Sequence, residues 1–175
     1  MITLWGKVLQ AASGTRLLLQ VLSDEHKQRI GRIMEGVGVA PERLQFVGKM
    51  RRPQYLRCYD RIDIALDTLP YNGITTTCDA LYMGVPVLTL AGPTAAGRAG
   101  TAMLSTIGLG ELVAHTQDEF VRKAAQLAAN LPRLIELRRG LRPRLAASPL
   151  MDAPRFARNI ETAYRQMWRT WCAMA

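Results

Sequence analysis

Three consecutive threonines, residues 75–77, follow an apolar strand pattern and open an apolar helix pattern. The first turn of a helix offers unpaired N–H groups and about half a positive charge, which suits a phosphate group. The hydroxyls of Thr75 and Thr76 would add donors beside it. Gly73, just ahead of them, would allow the backbone to approach a ligand closely. The residue types and spacing therefore predict a phosphate site at this helix.

A purely structural interpretation fits the same residues. Thr76 and Asp79 have the spacing of a capping box, in which the threonine hydroxyl accepts from the Asp79 N–H and the carboxylate accepts a bond in return. From these residues alone both interpretations stay open, and a lone Thr-x-x-Asp sequence favours the cap.

The elements around the threonines alternate between strand and helix patterns. A parallel sheet covered by helices on both faces has such alternation, with short connections and nearly continuous apolar strands. The sequence therefore predicts a doubly wound α/β domain with about five strands, which binds ligands at the carboxyl ends of its strands, where the threonines lie. The predicted strands are residues 16–22, 43–48, 62–69, 85–91 and 111–114.

Composition limits the classes of protein and site. The longest apolar run falls short of the ~20 residues that span a bilayer, so no membrane segment is expected. The three cysteines, Cys58, Cys78 and Cys172, are widely spaced, which is typical of reduced thiols in a cytoplasmic protein. Neither these cysteines nor His26 and His115 have metal-ligand spacing. We expect no metal site, and we expect Cys78 to be a small buried residue of its helix.

The formal net charge of +9 needs a separate explanation. Nucleic acid, a membrane surface and an anionic small molecule are all consistent with a basic chain. Proteins that bind nucleic acid usually interleave aromatic and basic residues along the binding surface. Only 6% of this chain is aromatic. A nucleic-acid-binding domain is therefore the less favoured alternative. Five arginines between residues 133 and 144 are interpreted as one solvated helix face.

Three segments together resemble one known family. "ALDTLPYNGITTTCDALYMGVPVLTLAG", "GRAGTAMLSTIGLGELVA" and "RFARNIETAYRQMW" are similar to the carboxyl-terminal part of the catalytic region of O-linked N-acetylglucosamine transferases and their SPINDLY-like relatives. That family has a GT-B fold of two Rossmann-like domains. The resemblance implies that residues 1–150 form the nucleotide-sugar-binding domain, without its first strand. It also implies that residues 151–175 form a helix that packs towards an absent amino-terminal domain.

The resemblance implies a UDP-sugar ligand on two segments of the chain. In the first, Thr75 and Thr76 match the threonines that hold the diphosphate, Gly73 precedes them, and Asp79 matches the acidic residue beside the hydroxyls of the sugar nucleotide. Ile74 stands where some animal relatives have histidine, so one side-chain bond to phosphate would be lost.

The second implied segment lies between the second and third predicted strands. Arg52 falls where relatives place a basic residue near the ribose and phosphates. Tyr55 falls where a ring stacks on uracil in some relatives, and the backbone of Met50 would read the edge of the base. Arg98, which opens the helix after "LAG", is expected to bind a carboxylate or a backbone carbonyl.

The function implied is transfer of N-acetylglucosamine from UDP-GlcNAc to serine and threonine of proteins in the full-length form, without a metal or other cofactor. The resemblance assigns no catalytic residue to this chain. A lysine loop, a second domain and helical repeats that bind the acceptor protein would lie elsewhere, so we expect the isolated chain to be inactive. We also expect it to self-associate through the closing helix. A non-catalytic remnant or interaction module that keeps the fold is the alternative.

Overall fold

A computed structural model describes residues 1–174 of the chain, which alternate between helices and parallel strands as predicted. The helices are α1 (Ile2–Ala11), α2 (Asp24–Gly36), α3 (Arg52–Cys58), α4 (Thr75–Tyr82), α5 (Ala99–Thr106), α6 (Gln117–Ala129), α7 (Leu131–Ala146) and α8 (Ala153–Met174). The strands are β1 (Leu17–Gln20), β2 (Leu44–Val47), β3 (Ala65–Leu66), β4 (Val87–Leu90) and β5 (Val113–Ala114).

All five strands have parallel partners, which confirms the predicted α/β class. They divide into two sheets, a feature that the sequence did not indicate. In one sheet β1 pairs with β2, with Leu17 opposite Leu44, and in the other the order is β3–β4–β5. β4 is the central strand of the larger sheet, and each of its residues is buried, as expected for a strand covered on both faces.

The hydrophobic core has two parts that follow this division. The larger part surrounds β4 and includes Leu81, Leu88 and Phe120, none of which is exposed to solvent. The smaller part, Leu9 and Met34 with Val39, packs α1 against α2. Helix α1 therefore belongs to both halves of the structure and holds them together.

The arginines of α7 confirm the prediction of a solvated face only in part: Arg139, Arg142 and Arg144 are exposed, whereas Arg138 is half-buried. Arg138 donates to the backbone carbonyls of Ile62 and Tyr59, at 2.9 Å each, and so ties α7 to the segment before β3. Arg142 donates to the Tyr82 carbonyl at the end of α4 and stacks on the Tyr82 ring. These cations complete the ends of neighbouring elements, where carbonyl groups lack intrahelical donors.

Helix α8 extends from the domain with an apolar stripe that nothing else in residues 1–174 covers. It has 22 residues, and none of them is buried. Its exposed apolar side chains are Phe156, Ile160, Tyr164, Met167, Trp168, Trp171 and Met174. Within the described part of the chain, neither α8 nor any other helix combines the length and apolar character needed to cross a membrane.

Candidate functional site

Arg52 and Asp79, which are 27 residues apart in the sequence, meet where α3 faces α4. The two terminal guanidinium nitrogens of Arg52 donate to the carboxylate of Asp79, with N–O distances of 2.7 and 2.6 Å. The hydrogen bond to Asp79 raises the pKa of Arg52. The Asp79 side chain is only 11% exposed, whereas that of Arg52 is 59% exposed. The pair therefore presents a cation to solvent and holds the carboxylate rigidly beneath it.

A chain of hydrogen bonds connects the same two helices on one side of this pair. The hydroxyls of Tyr55 and Tyr59 lie 2.6 Å apart, and the Tyr59 hydroxyl is 3.2 Å from the Thr76 carbonyl oxygen. Because the carbonyl can only accept, Tyr59 donates to Thr76, and Tyr55 donates to Tyr59. Burial raises the pKa of both tyrosines, so both phenols keep their protons.

Tyr59 was not identified from the sequence. It follows α3 directly and is buried, whereas Tyr55 is half-buried with the Arg52 guanidinium 5.7 Å from its ring centroid. The two rings meet edge to face at 5.4 Å. The spacing of four residues between Tyr55 and Tyr59 could have identified Tyr59, because residues four apart on a helix lie on the same face.

The threonines do not form the predicted capping box. Helix α4 begins at Thr75, its N-cap is Ile74, and no side chain caps it. Thr76 therefore lies inside the first turn, and Arg52 occupies the carboxylate of Asp79. Thr75 and Thr76 are exposed, and Thr77 is buried. The first-turn N–H groups of α4 have no intrahelical acceptor, as at any helix start, so they remain available to an anion.

The loop before α4 is fixed by Asp67, a second residue that the sequence did not single out. Its buried carboxylate accepts from the N–H groups of Thr68 and Gly73, both at 2.8 Å, and from the Thr89 hydroxyl at 2.7 Å. The N–H of Gly73 is thus engaged within the protein. Gly73 serves the site through its small size, because a Cβ there would overlap the Thr76 hydroxyl.

Asn72 joins this loop to the first turn of α5. Its side chain is fully buried, donates to the Thr68 carbonyl at 2.8 Å and accepts from the Gly100 N–H at 3.2 Å. Arg98, in the loop after β4, donates to the Pro93 carbonyl at 2.5 Å, which confirms the expected kind of partner. The loop at the carboxyl end of β3 is therefore held by buried polar groups, and the exposed Arg98 binds within the loop after β4.

The remaining predicted residues lie near the same place. Met50 lies in the loop between β2 and α3, and its sulfur is 3.4 Å from the Cys58 sulfur. Met50, Tyr55, Gly73 and Thr76 all line one cavity of about 850 Å³. Cys78 is half-buried, and burial raises its pKa, so its thiol is poorly suited to act as a nucleophile.

The site thus combines groups that suit different parts of one anionic ligand. The first turn of α4 and the threonine hydroxyls offer donors, Arg52 offers a cation, and Asp79 offers acceptors for hydroxyl groups. Within residues 1–174, no cluster of histidine, cysteine and carboxylate side chains has the geometry to bind a metal ion.

Comparison with known proteins gives one consistent result. A family model described as Glycosyl transferase family 41 matches residues 1–160. The chain is 41% identical over 172 residues to a probable UDP-N-acetylglucosamine–peptide N-acetylglucosaminyltransferase SPINDLY of Solanum lycopersicum, and the match covers 96% of this chain and 18% of that protein. Identity to the corresponding SEC protein of Arabidopsis thaliana is 30% over 170 residues, which are 97% of this chain and 17% of that protein.

A solved structure is also similar over nearly the whole chain. A mutant of the Thermobaculum terrenum O-GlcNAc transferase matches with a TM-score of 0.93 and 44% sequence identity. The match covers 99% of this chain and 34% of that chain. The present chain therefore spans less than a fifth of the length of the curated relatives cited above and about a third of that structure.

Proposed function

The chain belongs to glycosyl transferase family 41, and from that premise we propose that it binds the nucleotide part of a UDP-sugar where α3 meets α4. The observation that carries the proposal is the bidentate Arg52–Asp79 pair beside the exposed first turn of α4. A nucleoside diphosphate has a negatively charged part and a part rich in hydroxyls, and this junction has groups for each.

The diphosphate is assigned to α4. The backbone N–H groups of the first turn and the hydroxyls of Thr75 and Thr76 would donate to phosphate oxygens, with the dipole of the helix favouring the negative charge. Arg52 would add a cation that is already oriented by Asp79. Because the carboxylate lies so close, it partly neutralises Arg52, and the backbone N–H groups of α4 would carry most of the phosphate binding.

The nucleoside is assigned to the side of α3. Asp79 has two carboxylate oxygens that can accept further bonds, and ribose hydroxyls are suitable donors. The Tyr55 ring would pack against the base, since Tyr59 fixes its hydroxyl, and the backbone of Met50 would contact the edge of the base. No metal ion has a role in this assignment, because donors of the protein neutralise the diphosphate.

The wider activity is also a proposal. The relatives cited above are named as peptide N-acetylglucosaminyltransferases, and this chain matches less than a fifth of their length. We assign it the donor side of N-acetylglucosamine transfer to proteins, with the acceptor bound by other parts of a polypeptide of that length. We place the protein in the reducing cytoplasm, since its cysteines, Cys58, Cys78 and Cys172, are free thiols.

The substitution Thr76→Val tests the assignment of the diphosphate. We expect it to weaken UDP binding about ten- to a hundredfold, because a hydrogen bond to a charged group contributes about 1.5–3 kcal/mol. Binding of uridine should change less than about twofold, since uridine has no phosphate. Calorimetric titration of both ligands measures the two effects.

Thr162→Val is the matched control, because Thr162 is an exposed helical threonine that bonds to the Arg158 carbonyl, far along α8. It should leave both affinities unchanged. Equal losses of UDP and uridine affinity in Thr76→Val would show that the hydroxyl supports α4 and does not contact the diphosphate.

A further inference from the structure

Arg52 covers the two groups to which the proposed site assigns the nucleoside. Its terminal nitrogens bind both carboxylate oxygens of Asp79, at 2.7 and 2.6 Å. Its guanidinium carbon also lies over the ring of Tyr55, 5.7 Å from the ring centroid. One cation therefore occupies the acceptor proposed for the ribose and one face of the ring proposed for the base.

Arg52 also restricts access to the Asp79 carboxylate. The side chain of Asp79 is 11% exposed, whereas that of Arg52 is 59% exposed, so the guanidinium forms the outer surface of the pair. Each carboxylate oxygen can accept a second bond, but its small contact with solvent leaves little room for two ribose hydroxyls beside the guanidinium. Binding of the ribose at Asp79 therefore requires Arg52 to move aside.

Little else holds Arg52 in place. It is the first residue of α3, and within residues 1–174 its guanidinium forms hydrogen bonds only with Asp79. An ion pair with an exposed partner is weak, because water screens it and a long side chain loses freedom when it is fixed. A phosphate group offers the same edge of two oxygens as a carboxylate, and arginine binds both in the same forked geometry. A diphosphate on the first turn of α4 is thus an alternative acceptor for Arg52.

We propose that Arg52 is a gate that makes the site select nucleoside diphosphates over nucleosides. In the free chain the gate is closed on Asp79 and Tyr55, and it opens when the guanidinium moves to the diphosphate. The proposal rests on the proposed function, because the nucleotide must bind where α3 meets α4. It adds that one residue both blocks the nucleoside subsite and binds the phosphates.

The selectivity follows from what each ligand offers the displaced cation. A nucleoside must break the ion pair and supplies no acceptor for the guanidinium, so nothing offsets the lost bonds. A nucleoside diphosphate breaks the same pair and replaces those bonds with bonds to phosphate oxygens. Specificity of this kind combines an unfavourable contribution against the wrong ligand with a favourable one for the right ligand. UDP and a UDP-sugar both contain the diphosphate, so the gate does not distinguish them.

Arg52→Ala tests the gate, because two ligands should respond to it in opposite directions. Uridine should bind about two- to fivefold more tightly, since it no longer has to break the ion pair. UDP should bind about three- to thirtyfold more weakly, because the loss of charged hydrogen bonds to phosphate outweighs that gain. NMR titrations of the variant and of the unsubstituted chain measure both dissociation constants.

Arg57→Ala is the matched control. Arg57 is exposed on the same helix, and among the residues that the structure describes it forms no ion pair and no side-chain hydrogen bond. Its substitution removes the same charge without opening the gate. Uridine affinity should therefore stay unchanged, and UDP affinity should fall less than about twofold, because solvent and salt screen a distant exposed charge.

The unsubstituted chain provides a second measurement that removes no side chain. A bidentate bond to Asp79 restricts rotation of the guanidinium, so the two Nη groups of Arg52 should give separate ¹⁵N signals in the free chain. Saturating uridine should merge these signals, because the displaced guanidinium rotates freely in solvent. Saturating UDP should shift both signals and keep them separate, since phosphate oxygens again hold the fork. Comparison with the spectrum of Arg52→Ala assigns them.

Three results would overturn the gate alone, with UDP binding and the proposed function intact. Weaker or unchanged uridine binding in Arg52→Ala would show that Arg52 does not obstruct the nucleoside. An equal gain of uridine affinity in Arg57→Ala would attribute the gain to net charge. Separate Nη signals in the uridine complex would show that the ion pair persists when the ribose is bound. If neither UDP nor uridine binds to the unsubstituted chain or to Arg52→Ala, the nucleotide site itself is refuted, and the gate with it.

Discussion

Asp67→Ala is expected to lower the free energy of unfolding by about 3–5 kcal/mol, among the largest effects of any single substitution in this chain. The carboxylate is buried and accepts bonds from two backbone N–H groups and from the Thr89 hydroxyl. Each buried donor left without an acceptor costs about 1–3 kcal/mol. Urea unfolding measures the change, and UDP affinity should fall as well, because the same bonds hold the loop before α4.

Asp67→Asn separates the hydrogen bonds from the charge. Its amide oxygen can still accept from the N–H groups of Thr68 and Gly73, and its NH₂ group can donate to Thr89, whose hydroxyl then acts as acceptor. The loss should stay below about 1.5 kcal/mol. Asp63→Ala removes an exposed carboxylate nearby and should change stability by less than about 0.5 kcal/mol. If Asp67→Asn were as damaging as Asp67→Ala, the charge would be responsible.

A pair of glycine substitutions tests the same network from its other side. A Cβ on Gly100 would lie 2.5 Å from both the Asp67 carboxylate and the Thr89 hydroxyl, so Gly100→Ala should destabilise the domain by about 1–3 kcal/mol. Gly140, exposed within α7, has no atom within 4 Å of such a Cβ. Gly140→Ala should therefore stabilise by about 0.5–1 kcal/mol. Similar effects of the two substitutions in thermal unfolding would contradict the tight contact at Gly100.

Local sequence patterns predicted the helices and strands. Contacts between residues far apart in the chain determined the side-chain partners that those patterns missed. The strand–helix alternation could be read from apolar periodicity, because each element must bury a face. The Thr76–Asp79 spacing also predicted a cap. It failed because α4 already begins at Thr75, with Ile74 as its N-cap, and because Arg52, 27 residues earlier in the chain, binds the carboxylate. No local pattern records such a partner, and family resemblance alone linked Arg52 and Asp79 to one site.

The division into two sheets and the role of Asp67 could not be predicted from the sequence, because both depend on contacts between distant parts of the chain. Apolar runs give the number of strands but do not say which strands are neighbours, since pairing joins residues far apart in the chain. Asp67 lies inside the predicted strand 62–69, whereas the structure places it directly after β3. Its importance depends on Thr89 and Gly100, which only the folded chain brings to it.

The second large effect concerns α8, through which we expect the chain to self-associate. Seven apolar side chains lie exposed on one stripe of this helix, and Trp168 and Trp171 are 66% and 65% exposed. Apolar patches of this extent seldom stay in contact with water, and a second copy offers an identical stripe. Aromatic side chains carry much of the binding energy at such contacts, so the two tryptophans are the places to disrupt it.

Trp168→Glu/Trp171→Glu should therefore weaken self-association at least about a hundredfold, because burying each large apolar side chain contributes about 1.5–3 kcal/mol. Analytical ultracentrifugation over a range of concentrations measures the shift from dimer to monomer. Thr162→Glu adds a charge on the opposite, polar side of α8 and should leave the dimer intact. If the unsubstituted chain sediments as a monomer, the apolar stripe of α8 binds a partner other than a second copy. If Thr162→Glu weakens self-association equally, the effect comes from net charge, because both sides of the helix would then respond alike.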